Sequence, residues 1–173
     1  MGGERPHHLP RDGRAQRVST PTIWIDADGA PGACKELVFK ASHRHKTPVR
    51  VVANRYQQTP RFRWIVFELV EGGLDVADDH IADHCQSGDL VVTSDIPLAA
   101  RVVERGATVV RFRGEELDAS NVAQRLQVRD FMDDLRGAGV STGGPPPYGA
   151  KDKARFAAAI DRWISRAATK QAE

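Results

Sequence analysis

Two short apolar bursts in this sequence run directly into aspartate. Thr22-Ile-Trp-Ile-Asp26 is followed by a second acid, Asp28, and Leu90-Val-Val-Thr93 is followed by Ser94 and Asp95. A third group of acids, Asp75-Val-Ala-Asp78-Asp79, lies between them. Asp is a poor strand residue, so an Asp after a β-rich apolar run marks a strand's C-terminal edge. Parallel strands would bring Asp26 and Asp95 to the same edge, and Asp26 and Asp28 share one side of an extended chain. Carboxylates gathered in this way raise one another's pKa and destabilise the fold. A hard divalent cation, Mg²⁺ or Mn²⁺, resolves the conflict, because it takes oxygen ligands and keeps several waters. Such an ion can ionise a water and stabilise an in-line phosphoryl displacement. The chemistry suggested is metal-assisted hydrolysis of a phosphodiester. Asp89 precedes its strand, at the opposite edge, and is excluded from the set.

Other residues admit a second reading. Asp95 before Pro97 and Asp28 before Pro31 suit helix N-caps, and Asp79 does too. Asp133 and Asp134 read as a solvated helix face. Arg55, Arg61 and Arg63 interleave with Tyr56, Phe62 and Trp64. Arginines neutralise phosphates and aromatics stack on unpaired bases, so the stretch could contact RNA or another nucleic acid. The plainer expectation is a strand edge with its aromatics packed inward and its arginines solvated. Lys35, one turn into the first helix, could reach a phosphate near Asp28 or pair on the surface. His80 and His84 share a helix face and are expected to be a solvated pair. The loop Thr142-Gly-Gly-Pro-Pro-Pro-Tyr148 is expected to be a connector more than a lid.

The elements that must position these residues follow from the apolar pattern. Strands are expected at 22–26, 49–53, 64–70, 90–93 and 107–112. Helices are expected from Pro31 to about His45, from a loop at Asp75 to Gln86, from Pro97 to Gly106, from Ala119 to Gly137, and over about 151–168. The last buries Phe156, Ile160, Trp163 and Ile164 on one stripe. Apolar strands alternating with helices imply βαβ units, a mostly parallel sheet, and a ligand site beyond the strands' carboxyl ends. Residues 1–20 lack periodicity and read as a disordered extension, residues 21–168 as one domain, and 169–173 as a tail.

The 173 residues are enough to bury a core without staples, and 40% hydrophobic with 28% charged residues is ordinary for a globular protein. Residues 1–20 carry four arginines against two acids, which accounts for the whole formal net charge of +2. No apolar run approaches the ~20 residues of a membrane span, and the N-terminus lacks a signal peptide's apolar centre. A cytoplasmic location is the expectation. Cys34 and Cys85, the two cysteines, fall among apolar neighbours and read as buried thiols rather than a disulfide or zinc site.

Trp24-Ile-Asp-Ala-Asp28 with Pro31, Lys35 and Glu36 resembles the opening of the uncharacterised bacterial YaiI/YqxD family. The resemblance continues through Val52-Ala-Asn54, Asp75-Val-Ala-Asp78, Gly88-Asp-Leu-Val-Val-Thr-Ser-Asp95, Arg129-Asp-Phe-Met-Asp133 and Thr142-Gly-Gly-Pro145. That family is similar to PIN-like domains, which bind Mg²⁺ or Mn²⁺ through acids at the ends of parallel strands in ribonucleases. The resemblance implies a three-layer α/β/α fold. It matches Asp26 and Asp95 to the strand-end acids and Asp78 to the acid opening the intervening helix. Asp28 belongs to the family's doubled motif, and Ala30 stands where relatives usually carry Cys. A metal site at Asp26, Asp28, Asp78 and Asp95 is expected, with Thr93 or Ser94 orienting water or phosphate and Lys35 and Arg55 contacting substrate. Two alternatives stand beside a nuclease. One is a non-catalytic nucleic-acid-binding module. The other is a phosphatase of haloacid-dehalogenase type, suggested by Ile25-Asp-Ala-Asp-Gly29, although a Gly-Asp pair after a later strand is missing.

Overall fold

Strands form where apolar residues run without interruption. The computed structural model describes residues 20–172, so the expected extension at 1–20 lies, but for Thr20, outside the described residues. β1 (Ile23–Asp26), β2 (Val49–Ala53), β3 (Ile65–Leu69), β4 (Leu90–Val92) and β5 (Thr108–Val110) are mutually parallel. A two-residue strand, β6 (Glu116–Leu117), adds antiparallel to β5 and was not expected from the sequence. The sheet order is β3-β2-β1-β4-β5-β6. From β1 the chain builds outward to β3, then returns to β4 on the other side of β1 and builds outward again. The order therefore reverses between β1 and β4, where open parallel sheets leave a crevice at their carboxyl ends.

Both sheet faces are covered, giving three layers. Ile23, Ile25, Val49, Val51, Leu90 and Val92 pack with α1 (Gly32–His45) and α5 (Ala150–Ala172). Trp24, Val52, Val91 and Val109 pack on the opposite side with α2 (Leu74–His84) and α3 (Ile96–Glu104). Strands buried on both faces need apolar residues at every position, which is why β1 before Asp26 and β4 read as unbroken runs, while β2 carries the exposed Arg50. α5 buries Phe156, Ile160, Trp163 and Ile164 as one stripe, as expected, but continues through Ala172 over residues assigned to a tail. Among the described residues no helix is long and apolar enough to cross a membrane.

Three local expectations change. α2 begins at Leu74, so no loop precedes it at Asp75. α4 (Val122–Gly137) starts three residues late, because Asp118 and Asn121 fold the chain into a turn first: Asn121 Oδ1 accepts from Asp118 N–H, and Asp118 Oδ1 from Ser120 N–H. The apolar residues of α4 do not form a buried stripe. Only Val122 and Leu126 touch the core, while Val128 and Phe131 are exposed. The loop after α4 ends on Tyr148, whose hydroxyl donates to Phe112 C=O at 2.9 Å and meets Cys34 Sγ at 3.1 Å. That anchor ties the connector to the core. Both cysteines are buried and free.

Candidate functional site

The alternation of strand side chains decides which face the acids use. Ile25 points toward α1 and α5, so Trp24 and Asp26 point toward α2 and α3. β4 ends beside β1, with Ile25 level with Val92, so the turn after β4 reaches the same edge. There Thr93, fully buried, donates its hydroxyl to Asp26 Oδ2 at 2.7 Å and accepts from Asp95 N–H at 3.0 Å. Thr93 thus locks the two strand-end acids in place. Its donor is used inside the protein, which makes it a positioning residue; the neighbouring Ser94 lines the open cleft instead. Asp95 caps α3, Oδ1 accepting from Leu98 N–H at 3.0 Å, and still lines that cleft. The cap and site readings of Asp95 therefore hold together.

Asp26, Asp28, Asp78 and Asp95 all line one cleft of about 590 Å³. Asp78 enters from the second turn of α2. Asp28 does not cap α1; its Oδ2 accepts from Asn54 N–H at 2.7 Å, and Pro31 takes the N-cap position. Burial raises the Asp26 carboxyl above its ordinary value; the Thr93 hydrogen bond opposes this, and the charges of Asp95 and Asp28 add to it. Asp78 is pushed up to about 7, first by burial, then by Asp95 and Asp26, with which it competes for negative charge. Asp79 is exposed and pairs with Arg101 at 2.8 Å, outside the cleft. Asp89 sits at the far edge as argued. It is buried there and accepts from Trp24 Nε1, Thr22 N–H and Gln86 N–H at 2.8–3.0 Å.

The remaining expectations divide. Lys35 Nζ donates to Gln57 Oε1 at 2.9 Å, and Gln57 in turn donates to Ala27 C=O, so Lys35 braces the loop under Asp28 and does not line the cleft. Arg55 is exposed and is not part of the lining either. Phe62 and Trp64 stack with His43 and with each other, as the plainer reading required, but Tyr56 is 77% exposed. His80 and His84 are not simply solvated. His80 Nε2 meets Glu68, which also holds Arg50, and the two imidazoles lie 4.3 Å apart.

The sequence reading missed the cleft's arginines. Arg111, from the end of β5, and Arg125 and Arg129, from α4, also line the cleft, whereas Asn54 lines it beside Asp28. Arg111 directly follows the apolar run of β5, at the same carboxyl edge as the acids after β1 and β4. Arg125 and Arg129 are four apart on α4 and so share a face. A search for charge of either sign after apolar runs would have found Arg111.

An all-oxygen donor set suits a hard cation. Among the described residues, however, no three His, Cys, Asp or Glu side chains are gathered as a ready metal cage. Mg²⁺ is commonly held by only one or two carboxylates together with substrate phosphate and water. The half-buried Asp26, Asp78 and Asp95 fit that mode, with Asp95 joined by Asp26 or Asp78.

A family model described as "Uncharacterized BCR, YaiI/YqxD family" matches residues 24–166. A UPF0178 protein of Xanthomonas campestris pv. campestris is 51% identical over 144 residues, covering 83% of this chain and 90% of its own length. One from Desulfotalea psychrophila is 51% identical over 144 residues, covering 83% of this chain and 97% of its own length. One from Cronobacter sakazakii is 46% identical over 143 residues, covering 83% and 95%. No solved structure matches this chain.

Proposed function

The chain belongs to the YaiI/YqxD family, and from its acid-lined cleft we propose that it is a PIN-like, divalent-metal-dependent phosphodiesterase acting on RNA. The observation that carries the reading is the meeting of Asp26, Asp78 and Asp95 at the point where the strand order reverses, in a cleft that three arginines also line. Asp95 and Asp26 would hold Mg²⁺ or Mn²⁺, with Asp78 and Asp28 beside them. When bound, the ion would supply an ionised water and neutralise charge on the reacting phosphate. Thr93 fixes the spacing of Asp26 and Asp95 through its two hydrogen bonds. Ser94 offers a hydroxyl to water or to a phosphate oxygen at the same edge. Ile96 and Val128 add apolar surface to the cleft lining.

Two measurements test this. Calorimetric titration with Mn²⁺ is expected to show binding that Asp95→Asn or Asp26→Asn abolishes; no binding at millimolar Mn²⁺ would defeat the metal site. Single-stranded RNA is expected to be cut with Mn²⁺ present and left intact by Asp95→Asn. RNA retained without metal-dependent cleavage would make the protein a binding module. An aspartyl-phosphate trapped on Asp26 would replace this reading with that of a phosphatase.

A further inference from the structure

The acids occupy only one wall of the cleft. The other wall carries Arg111, Arg125 and Arg129. Arg129 pairs with Asp130 at 3.2 Å and Asp133 at 3.4 Å, but the charge balance around Arg111 and Arg125 is incomplete. Glu115 is held by Arg125 through two bonds, Nε–Oε1 at 2.6 Å and Nη2–Oε2 at 2.7 Å. Arg111 reaches the same carboxylate only at 3.6 Å. One carboxylate therefore serves two guanidinium groups. Arg111 Nε is buried with no hydrogen-bond partner, and so is Asn54 Oδ1, on another of the cleft's lining residues. A buried donor left unpaired is costly, so Arg111 Nε is expected to await an acceptor from a ligand or water, while Asn54 Oδ1, an acceptor, would take a donor. Burial and the neighbouring Arg125 charge both hold the Arg111 guanidinium below its ordinary pKa, against the pull of Glu115; the charge of an arriving anion would act in the same sense as Glu115.

We propose that Arg111, Arg125 and Arg129 form a phosphate subsite that grips the backbone of a single-stranded nucleic acid without any metal, and so seats the strand across the acidic wall. The identity of the ligand rests on reading this cleft as a phosphodiester site. Guanidinium forks match phosphate oxygens in pairs, and three on one wall exceed what a lone surface pairing explains. The choice of a strand over a small phosphodiester comes from the flanks. Phe131, 61% exposed, lies one helical turn beyond Val128, which lines the cleft. Tyr56, 77% exposed, lies two residues beyond Asn54, which lines it too. Exposed aromatics flanking a cleft with arginines on one wall offer faces on which unpaired bases can stack without sequence being read.

The test is fluorescence anisotropy with a labelled oligoribonucleotide of about 12 nucleotides, on the full chain in EDTA, across a range of salt. Wild type is expected to bind, with affinity falling steeply as salt rises. Arg129→Gln and Arg111→Gln are each expected to weaken binding about fivefold to tenfold at low salt. Each should also reduce the slope of log affinity against log salt by about 0.7, the share of one phosphate contact on a single strand. Glu115→Gln, which frees Arg125, is expected to tighten binding. Arg162→Gln, on α5 and paired to Glu116, serves as control and should leave the slope unchanged. Arg129 is exposed, so its variant stays informative if Arg111→Gln does not fold.

Failure to bind in EDTA would overturn the subsite, as would unchanged affinity and slope in the arginine variants. A Mn²⁺ cleavage arm separates this from the proposed function. Cleavage retained with unaltered binding in the arginine variants would remove the subsite and leave the nuclease. Arginine-dependent binding without cleavage would leave the subsite and remove the nuclease.

Discussion

Asp78 carries the clearest pH signature in the protein. Its carboxyl lies at about 7 against an ordinary 3.8, raised by burial, by Asp95 and by Asp26. A carboxyl whose pKa is higher in the folded chain binds more protons when folded. Its contribution to stability is complete below pH 3.8 and is lost as pH rises through about 7. The metal-free protein is therefore expected to lose stability across that window, and Asp78→Asn to lose less. Thermal melts in EDTA from pH 4 to pH 8 measure this, and the variant should melt higher than wild type at pH 8. Identical pH slopes in the two proteins would show that the acids do not oppose one another. Glu68 runs the other way. Burial alone would raise its carboxyl, but hydrogen bonds from His80 and Arg50 outweigh that and hold it low. Its contribution is lost as pH falls, so the comparison must be made between variant and wild type rather than on wild type alone. Asp89 shows that an acid at a strand end can be wholly structural: three donors satisfy it away from the cleft.

α4 is the element whose sequence pattern and structural role diverge. Val128, Phe131, Met132 and Leu135 recur at spacings that suggest a buried stripe, yet α4 has no fully buried residue. Its first turns pack through Val122 and Leu126, and its later turns extend past the core beside the cleft. Apolar periodicity reports a face that avoids water; it does not say whether this chain supplies the cover. Phe131→Gln is accordingly expected to change the free energy of unfolding by less than about 0.5 kcal/mol, as at an ordinary surface position. A urea denaturation measures it, and a loss of the size seen for core aromatics, about 3–5 kcal/mol, would mean that Phe131 is covered in solution. α3 is the opposite case. Ile96, Leu98, Ala99, Val102 and Val103 are all buried, and the Asp95 cap with Pro97 in the first turn fixes its start. The helix that presents Asp95 is thus among the most firmly packed.

Across the whole molecule, the Arg111 wall depends on how α5 closes over the turn after β5. Gly114 has φ +90°, and a Cβ there would stand 2.6 Å from the Arg155 backbone carbon. A backbone atom cannot swing aside as a side chain would. Gly114→Ala therefore combines a left-handed conformation with a steric clash, and is expected to destabilise by more than about 2 kcal/mol. The same turn positions Arg111, whose N–H donates to Glu115 C=O at 2.8 Å. Circular dichroism melts measure the loss, and a wild-type melting temperature would show that α5 sits less tightly than described.

The sequence by itself determined a mostly parallel sheet and acids at the carboxyl ends of two of its strands; that β1 and β4 are neighbours, with the order reversing between them, came from the tertiary structure. Strands buried on both faces must be apolar throughout, so Ile23–Ile25 and Leu90–Val92 announce themselves, and an acid after each marks the edge. Strand direction alone was enough to set Asp89 apart. Tertiary structure decided the rest. β6 exists only because Leu117 and Glu116 find Val109 and Val110 as partners. Thr93's hydroxyl is spent on Asp26 and Asp95, and Lys35 on Gln57, which no local pattern encodes. The arginine wall joins one residue after β5 to two on α4. A charge has meaning in a site only through what faces it, and that depends on packing between elements far apart in the chain.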